Sequence, residues 1–305
     1  MSRKITFFNA FHNGDIHVSR SFISAIIRRV SQNDPSAIFT YAHRNDAGLL
    51  ADIPNLGHST DFSGIGSEHD NLFLSKDQLY INTWYAQQHH RFMNAYGLTM
   101  DALYAGLDGS CKDAFGFSLD DISGDPTDFF PSIDWSSPRW HLGQARAWLS
   151  AHPEKKIFIC NGYAQSGQSH NFNLMPLLIP LAQRHSGITF ILTNKEGTLP
   201  LSNMVWSSDI IGNQGNDLNE NAFLSEYCYA LIGRATGAMA FAQTKQNMLN
   251  RKCNVLQLTN LLPPPGGKFW LGSLLGNKIN YSANITVSND NHLGKIQALI
   301  ERQLA

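Results

Sequence analysis

Cysteine, charge and long apolar runs are all scarce in this chain, and each shortage narrows the reading. Four cysteines, Cys111, Cys160, Cys228 and Cys253, stand among 305 residues, with no CxxC spacing and with apolar or strand-like neighbours. They read as buried free thiols, not as a disulfide framework. No apolar run reaches the length of a membrane span. The start Met1-Ser2-Arg3-Lys4-Ile5-Thr6-Phe7-Phe8 is basic and then apolar, but Asn9, His12, Asn13 and Asp15 interrupt it too early for a signal peptide. A cytoplasmic protein is expected, with peripheral membrane contact left open. Charged residues make up 15% and the formal net charge is -1, which argues against a nucleic-acid surface, because that would need a basic excess.

Familiar catalytic frames are missing too. GxGxxG does not occur, Gly266-Gly267-Lys268-Phe269 lacks the Ser/Thr and the spacing of a P-loop, and Ser166 lacks the GxSxG setting of a nucleophile elbow. What is present is a core: hydrophobic residues are 43% of a chain long enough for two ordinary domains.

The apolar pattern is that of an α/β protein. Ile5 to Asn9 reads as a strand, Ser19 to Val30 as a helix with Phe22, Ile23, Ile26, Ile27 and Val30 on one face, and Ala37 to Tyr41 as the next strand. Asn33-Asp34-Pro35 stops the helix. A strand, helix, strand order implies a parallel sheet with a right-handed crossover. Short strands follow at Leu72–Leu74 and Leu79–Ile81, then a helix from Gln87 to Tyr96 and another from about Pro138 to Ala151. The polar break His152-Pro153-Glu154-Lys155-Lys156 is the expected boundary, giving domains 1–152 and 153–305. The pattern then begins again, with strands at 157–160, 188–192, 205–211, 229–232 and 254–258. Helices are expected at 174–185, 219–227 and 236–250. The closing helix, about 291–304, could pack on either half.

Two motifs carry chemistry. In Phe7-Phe8-Asn9-Ala10-Phe11-His12-Asn13-Gly14-Asp15 a strand runs into a glycine loop ending on an acid. Ligands of open α/β sheets gather at the carboxyl ends of the strands, so Asp15 is either a general base or a helix cap. His12, Asp15 and His17 together also have the ligand chemistry of a zinc or manganese site. In Tyr229-Ala230-Leu231-Ile232-Gly233-Arg234-Ala235-Thr236-Gly237 a second strand turns into a new helix. Free N–H groups at Thr236-Gly237 could receive a diphosphate, with Arg234 or Lys195 adding charge; the alternative is close helix–strand packing with Arg234 in an ion pair.

The loop from Asn161 to His170 offers the amides of Asn161 and Gln165 and the hydroxyl of Ser166 at another strand end. Asn82-Thr83-Trp84-Tyr85, followed by His89-His90-Arg91, offers aromatic faces for a sugar and a cation for an anionic acceptor, or else a partly buried domain edge.

The segment around Gly14-Asp15 resembles the N-terminal Gly-Asp motif of the heptosyltransferase-like glycosyltransferases, whose Asp is the base. Ile232-Gly233-Arg234-Ala235-Thr236-Gly237-Ala238-Met239-Ala240-Phe241-Ala242 resembles their Asp-Thr-Gly-Pro-Met-His-Leu-Ala signature at the donor phosphates. Thr236, Gly237, Met239 and Ala242 match, while Ala235, Ala238, Ala240 and Phe241 depart. The resemblance implies a GT-B architecture: two Rossmann-like domains with parallel sheets facing a central cleft.

It also implies an inverting, metal-independent transfer from a nucleotide-sugar to a glycan or glycolipid hydroxyl, with no cofactor. No Asp-x-Asp occurs in the chain. Asp15 is then the base, and Asn161, Gln165, Ser166, Lys195, Arg234, Thr236 and Gly237 lie on the donor side. His12, Asn13, His17, Trp84 and Arg91 lie on the acceptor side. Two other functions stay open, a metal-dependent hydrolase built on His12, Asp15 and His17, and a nucleotide- or carbohydrate-binding protein without catalysis.

Overall fold

The computed structural model describes residues 2–65, 72–75, 78–84, 100–165, 169–212, 217–250, 254–259, 284–286 and 293–304. The helix expected at Gln87 to Tyr96, Arg91 and Ser166 lie outside these residues. Two compact units divide between Asp134 and Trp135, earlier in the chain than the polar break at His152.

The first unit is built on β1 (Lys4–Phe8), β2 (Ile38–Ala42), β3 (Leu56–Ser59), β4 (Leu72–Ser75) and β5 (Gln78–Asn82), in the order β3-β2-β1-β5-β4. The first four in that order run parallel; β1 and β5 are apolar and buried, as interior strands of such a sheet are, while the edge strand β3 is partly exposed. β4 departs from that plan and pairs antiparallel with β5. Too little chain separates the two for the crossover that parallel pairing requires.

Helix α1 (Asn13–Asn33) follows β1. Its buried stripe contains Phe22, Ile23, Ile26, Ile27 and Val30, the face read from the sequence. It begins a turn and a half earlier than Ser19, so Gly14 belongs to the first helical turn and not to a loop. Helix α2 (Met100–Phe115) packs against α1, with the Phe22 ring edge-on to Tyr104 at 6.3 Å and stacked on Phe129 of the Pro126–Phe129 turn at 4.9 Å.

The second unit carries β6 (Lys155–Cys160), β7 (Ile188–Leu192), β8 (Met204–Trp206), β9 (Ala230–Arg234), β10 (Asn254–Thr259) and β11 (Asn284–Thr286). They form one parallel sheet in the order β11-β10-β9-β6-β7-β8. Alternating side chains of β6 supply both cores: Ile157 and Ile159 face one side, Phe158 and Cys160 the other.

Helix α3 (Gly143–Ala151) belongs to this unit because Leu142 and Ala145 pack with Phe158, Cys160 and Leu231. Helices α4 (Met175–Arg184), α5 (Ser207–Ile211) and α6 (Leu218–Ser225) follow. The helix expected at 236–250 is two: α7 (Gly237–Ala242) and α8 (Lys245–Leu249), the second capped by Thr244, whose hydroxyl accepts from the Asn247 N–H. The closing helix α9 (Leu293–Leu304) packs on α4, with Ile296 and Ile300 in that core.

Cys111, Cys160 and Cys228 are buried free thiols, and burial pushes Cys111 up to about 12. Among the described residues no helix is long and apolar enough to cross a membrane.

Candidate functional site

Both sheets reverse their strand order at one place. In the first, the chain runs outward from β1 to β2 and β3 and then places β5 on the other side of β1. In the second it runs from β6 to β7 and β8 and then places β9 on the other side of β6. Loops leaving neighbouring strands at such a point diverge, and the carboxyl-end crevice between them is where open α/β sheets bind ligands. The two sequence motifs leave the sheets there: Asn9 to Asp15 after β1, and Ala235 to Gly237 after β9.

At the first switch point Phe8 pairs with Ala42 and Asn82, so Asn9, His43 and Thr83 are the first residues past three adjacent strands. The carboxamide oxygen of Asn9 accepts the Phe11 N–H at 2.9 Å, and that of Asn82 accepts the Trp84 N–H at 2.8 Å. These two side-chain turns aim their loops so that the rings of Phe11 and Trp84 stack, 3.7 Å between centroids.

Asp15 is the third residue of α1 and is 8% exposed. Its carboxylate accepts the His12 N–H at 3.4 Å, the weak arm of a capping box. The cap alternative made Asp15 the N-cap; the structure gives that position to His12, and Asp15 reaches back to it from the first helical turn. His12 is exposed, and Asn13 and Trp84 are half-buried.

His17 is placed differently from the acceptor contact expected. It is fully buried, and its Nδ1 lies 3.1 Å from the Arg20 guanidinium. Burial, and then the Arg20 charge, hold its pKa well below the ordinary imidazole value. Arg20 also donates to Asp52 and to the Leu49 carbonyl, each at 2.8 Å. A cation beside the ring is the wrong neighbour for a bound metal. Among the described residues no three His, Cys, Asp or Glu side chains form a group that could hold a metal ion, so nothing there supports the reading of His12, Asp15 and His17 as a metal centre.

At the second switch point two of the expected donor contacts, Asn161 and Arg234, hold the loops together. Asn161 donates to the Asn194 carbonyl at 2.7 Å and accepts the Asn194 N–H at 2.8 Å, tying the ends of β6 and β7. Arg234, the last residue of β9, is 1% exposed. Its guanidinium donates to the carbonyls of Asn161, Gly162, His170 and Phe172 and lies 5.1 Å from the Tyr163 ring centroid. Among the described residues it binds the carbonyls of the loop from 161 to 172 and no ion-pair partner.

Lys195 is half-exposed and paired with Asp209 at 2.5 Å. Gln165 is exposed. The Thr236 hydroxyl caps α7 by accepting the Met239 N–H at 3.4 Å, and Gly237 is the first helical residue. One requirement went unread in the sequence: a Cβ on Gly233 would lie 2.5 Å from the Cys160 carbonyl oxygen. Only glycine lets β9 sit this close to β6.

No protein-family model matches the chain, and no curated protein matches it in sequence. Solved structures do match over nearly its whole length. ADP-heptose LPS heptosyltransferase II of E. coli is 13% identical, with 99% of this chain and 100% of that one covered and a TM-score of 0.44. A glycosyl transferase family 9 protein from Veillonella parvula is 13% identical, with 97% and 89% covered and a TM-score of 0.49. The E. coli heptosyltransferase WaaC, solved with ADP-2-deoxy-2-fluoro heptose, is 10% identical, with 99% and 98% covered and a TM-score of 0.48.

Proposed function

We propose that this chain is a metal-independent, inverting glycosyltransferase of the GT-B kind, moving a sugar from a nucleotide-sugar to a hydroxyl of a glycan or glycolipid. The observation that supports it is the coincidence of each motif with a switch point: Asp15 after β1 in one sheet, Thr236-Gly237 after β9 in the other. In this reading the first unit takes the acceptor and the second the donor.

The Asp15 carboxylate accepts the proton of the acceptor hydroxyl as that oxygen forms a bond to the anomeric carbon. The bond from that carbon to the donor phosphate breaks, and the nucleoside diphosphate leaves with the electron pair. Backbone N–H groups from Gly237 onward receive the diphosphate, with Lys195, Gln165 and Ser166 beside it. Trp84 stacked on Phe11 offers an aromatic face to a sugar ring, with His12, Asn13 and Arg91 as further acceptor contacts. Arg234 and Asn161 hold the donor loop in shape, and His17 supports α1 from within.

A thermal-shift panel of nucleotide sugars, ADP-heptose and UDP-glucose among them, tests the donor site, since a ligand of the folded state raises apparent stability by mass action. Gly237→Val is expected to abolish the shift without unfolding the protein, and an unchanged shift would remove this site. Transfer is expected to survive treatment with a chelator.

A further inference from the structure

Exposed large apolar side chains are few among the described residues: Ile38, Tyr163, Tyr227 and Leu249. Single ones are ordinary on a protein surface, but their places in the fold differ. Ile38 opens β2, while Tyr227 and Leu249 lie on the chain leading into β9 and β10, so these three belong to the amino ends of strands. Tyr163 lies three residues past β6, at the carboxyl end, where β6 adjoins β9 and the strand order reverses.

Tyr163 is also held, although it is 54% exposed. Before it, Asn161 is tied to Asn194, and the Gly162 carbonyl accepts from Arg234 at 3.1 Å. After it, the Ala164 N–H donates to the Asn171 carboxamide oxygen at 2.8 Å, and the Asn171 amide donates back to the Ala164 carbonyl at 2.9 Å. Beneath it, the buried Arg234 guanidinium lies over the ring, 5.1 Å from its centroid, inside the range of a cation–π contact. One face is therefore covered by a cation that four carbonyls fix in place. The exposed part of the side chain includes the other face.

A flat π surface held in advance gives up little conformational freedom when a second ring lies on it. Every nucleobase has such a face to offer. The position suits one as well. Neighbouring strands are about 4.8 Å apart, so the loop carrying Tyr163 leaves the sheet one strand from Thr236-Gly237, within the length of a nucleoside. A donor whose sugar must meet the acceptor is left with its nucleoside end for the loops of the second unit. The guanidinium behind the ring favours an anionic nucleotide over a neutral sugar.

We propose that Tyr163 is the surface on which the nucleobase of the donor stacks. This rests on the second unit holding the nucleotide at Thr236-Gly237.

Calorimetry on the full-length protein tests it, with ADP, GDP, CDP, UDP and TDP as probes. For the tightest binder, Tyr163→Ala is expected to weaken affinity by about 5- to 100-fold. Tyr163→Leu, which keeps apolar bulk without an aromatic face, is expected to lose as much, and Tyr163→Phe to bind as wild type. Unchanged affinity in Tyr163→Ala overturns the inference, including the case in which only a nucleotide-sugar is weakened, which would give the ring to the sugar. Wild-type binding by Tyr163→Leu would make the contact one of bulk, and a loss in Tyr163→Phe equal to that in Tyr163→Ala would make it one of the hydroxyl; either result also overturns it. Gly237→Val separates the two claims. If it abolishes binding while Tyr163→Ala does not weaken it, the inference alone falls. If no nucleoside diphosphate binds the wild-type protein, the donor reading falls and takes the inference with it.

Discussion

Asp15 carries both a capping bond and the proposed proton transfer, and a single substitution separates them. Asp15→Asn keeps the shape and an oxygen for the His12 N–H but has no carboxylate to take a proton. The melting temperature is expected to report a change on the order of 1 kcal/mol or less, while the transfer rate falls by about two to four orders of magnitude. Retained transfer would leave Asp15 a cap only. Gly233 is constrained by space alone. A methyl group there would meet the Cβ and the carbonyl oxygen of Cys160, both at 2.5 Å, and backbone cannot rotate away as a side chain can. Gly233→Ala is expected to cost on the order of 1–3 kcal/mol in urea unfolding, with a midpoint within error of wild type as the opposing result.

At the scale of elements, the loop from Asn161 to Phe172 owes its shape to Arg234. Four backbone carbonyls converge on one guanidinium, and burial lowers its pKa from the ordinary value. Lysine has the charge without the fork. Arg234→Lys should therefore loosen this loop, read as faster amide exchange from 161 to 172, and lower stability by about 2–3 kcal/mol. Unchanged exchange in the loop would show that the carbonyls do not depend on the fork.

This arrangement also shows where the sequence stops being readable. Ile5–Phe8, Ile157–Cys160 and Phe190–Leu192 announce themselves, because a strand buried on both faces is a continuous apolar run whatever it packs against. The placement of Asp15 and Thr236 at strand-to-helix junctions is legible for the same local reason. Arg234, Asn161 and His17 read as ligand contacts because each has the right chemistry at the right strand or helix end. Their actual partners, Phe172, Asn194 and Arg20, are set by tertiary approach. The early start of α1 escaped notice because its capping box begins at His12, which is not a usual cap.

Across the whole molecule, the two units carry buried ionisable groups of opposite habit. In the first, burial holds His17 well below the ordinary imidazole value, and burial with the neighbouring His58 brings His43 down to about 4. Below about pH 6.5 the unfolded chain binds protons at these positions that the native unit does not. Their contribution is therefore complete above that pH and lost as it falls toward 4. In the second unit burial raises Asp217, Glu220 and Glu226 above the ordinary carboxyl range, with Glu226 accepting the Trp135 indole N–H at 2.8 Å. Here the native unit binds more protons than the unfolded chain, so stability is greatest in acid and falls as pH rises through the raised values. Glu154 opposes this modestly, because its bond from Thr189 and nearby charges outweigh burial and keep it low. Acidification from pH 7 to 5 should therefore weaken the first unit before the second. Hydrogen exchange corrected for intrinsic rates is the measurement: amide protection in β1, β2 and β5 is expected to fall by a larger factor than in β6, β7 and β9. His43→Phe, which cannot take up a proton, should narrow that difference. Equal loss in both sheets, or earlier loss in the second, would show that these buried groups do not set the acid response.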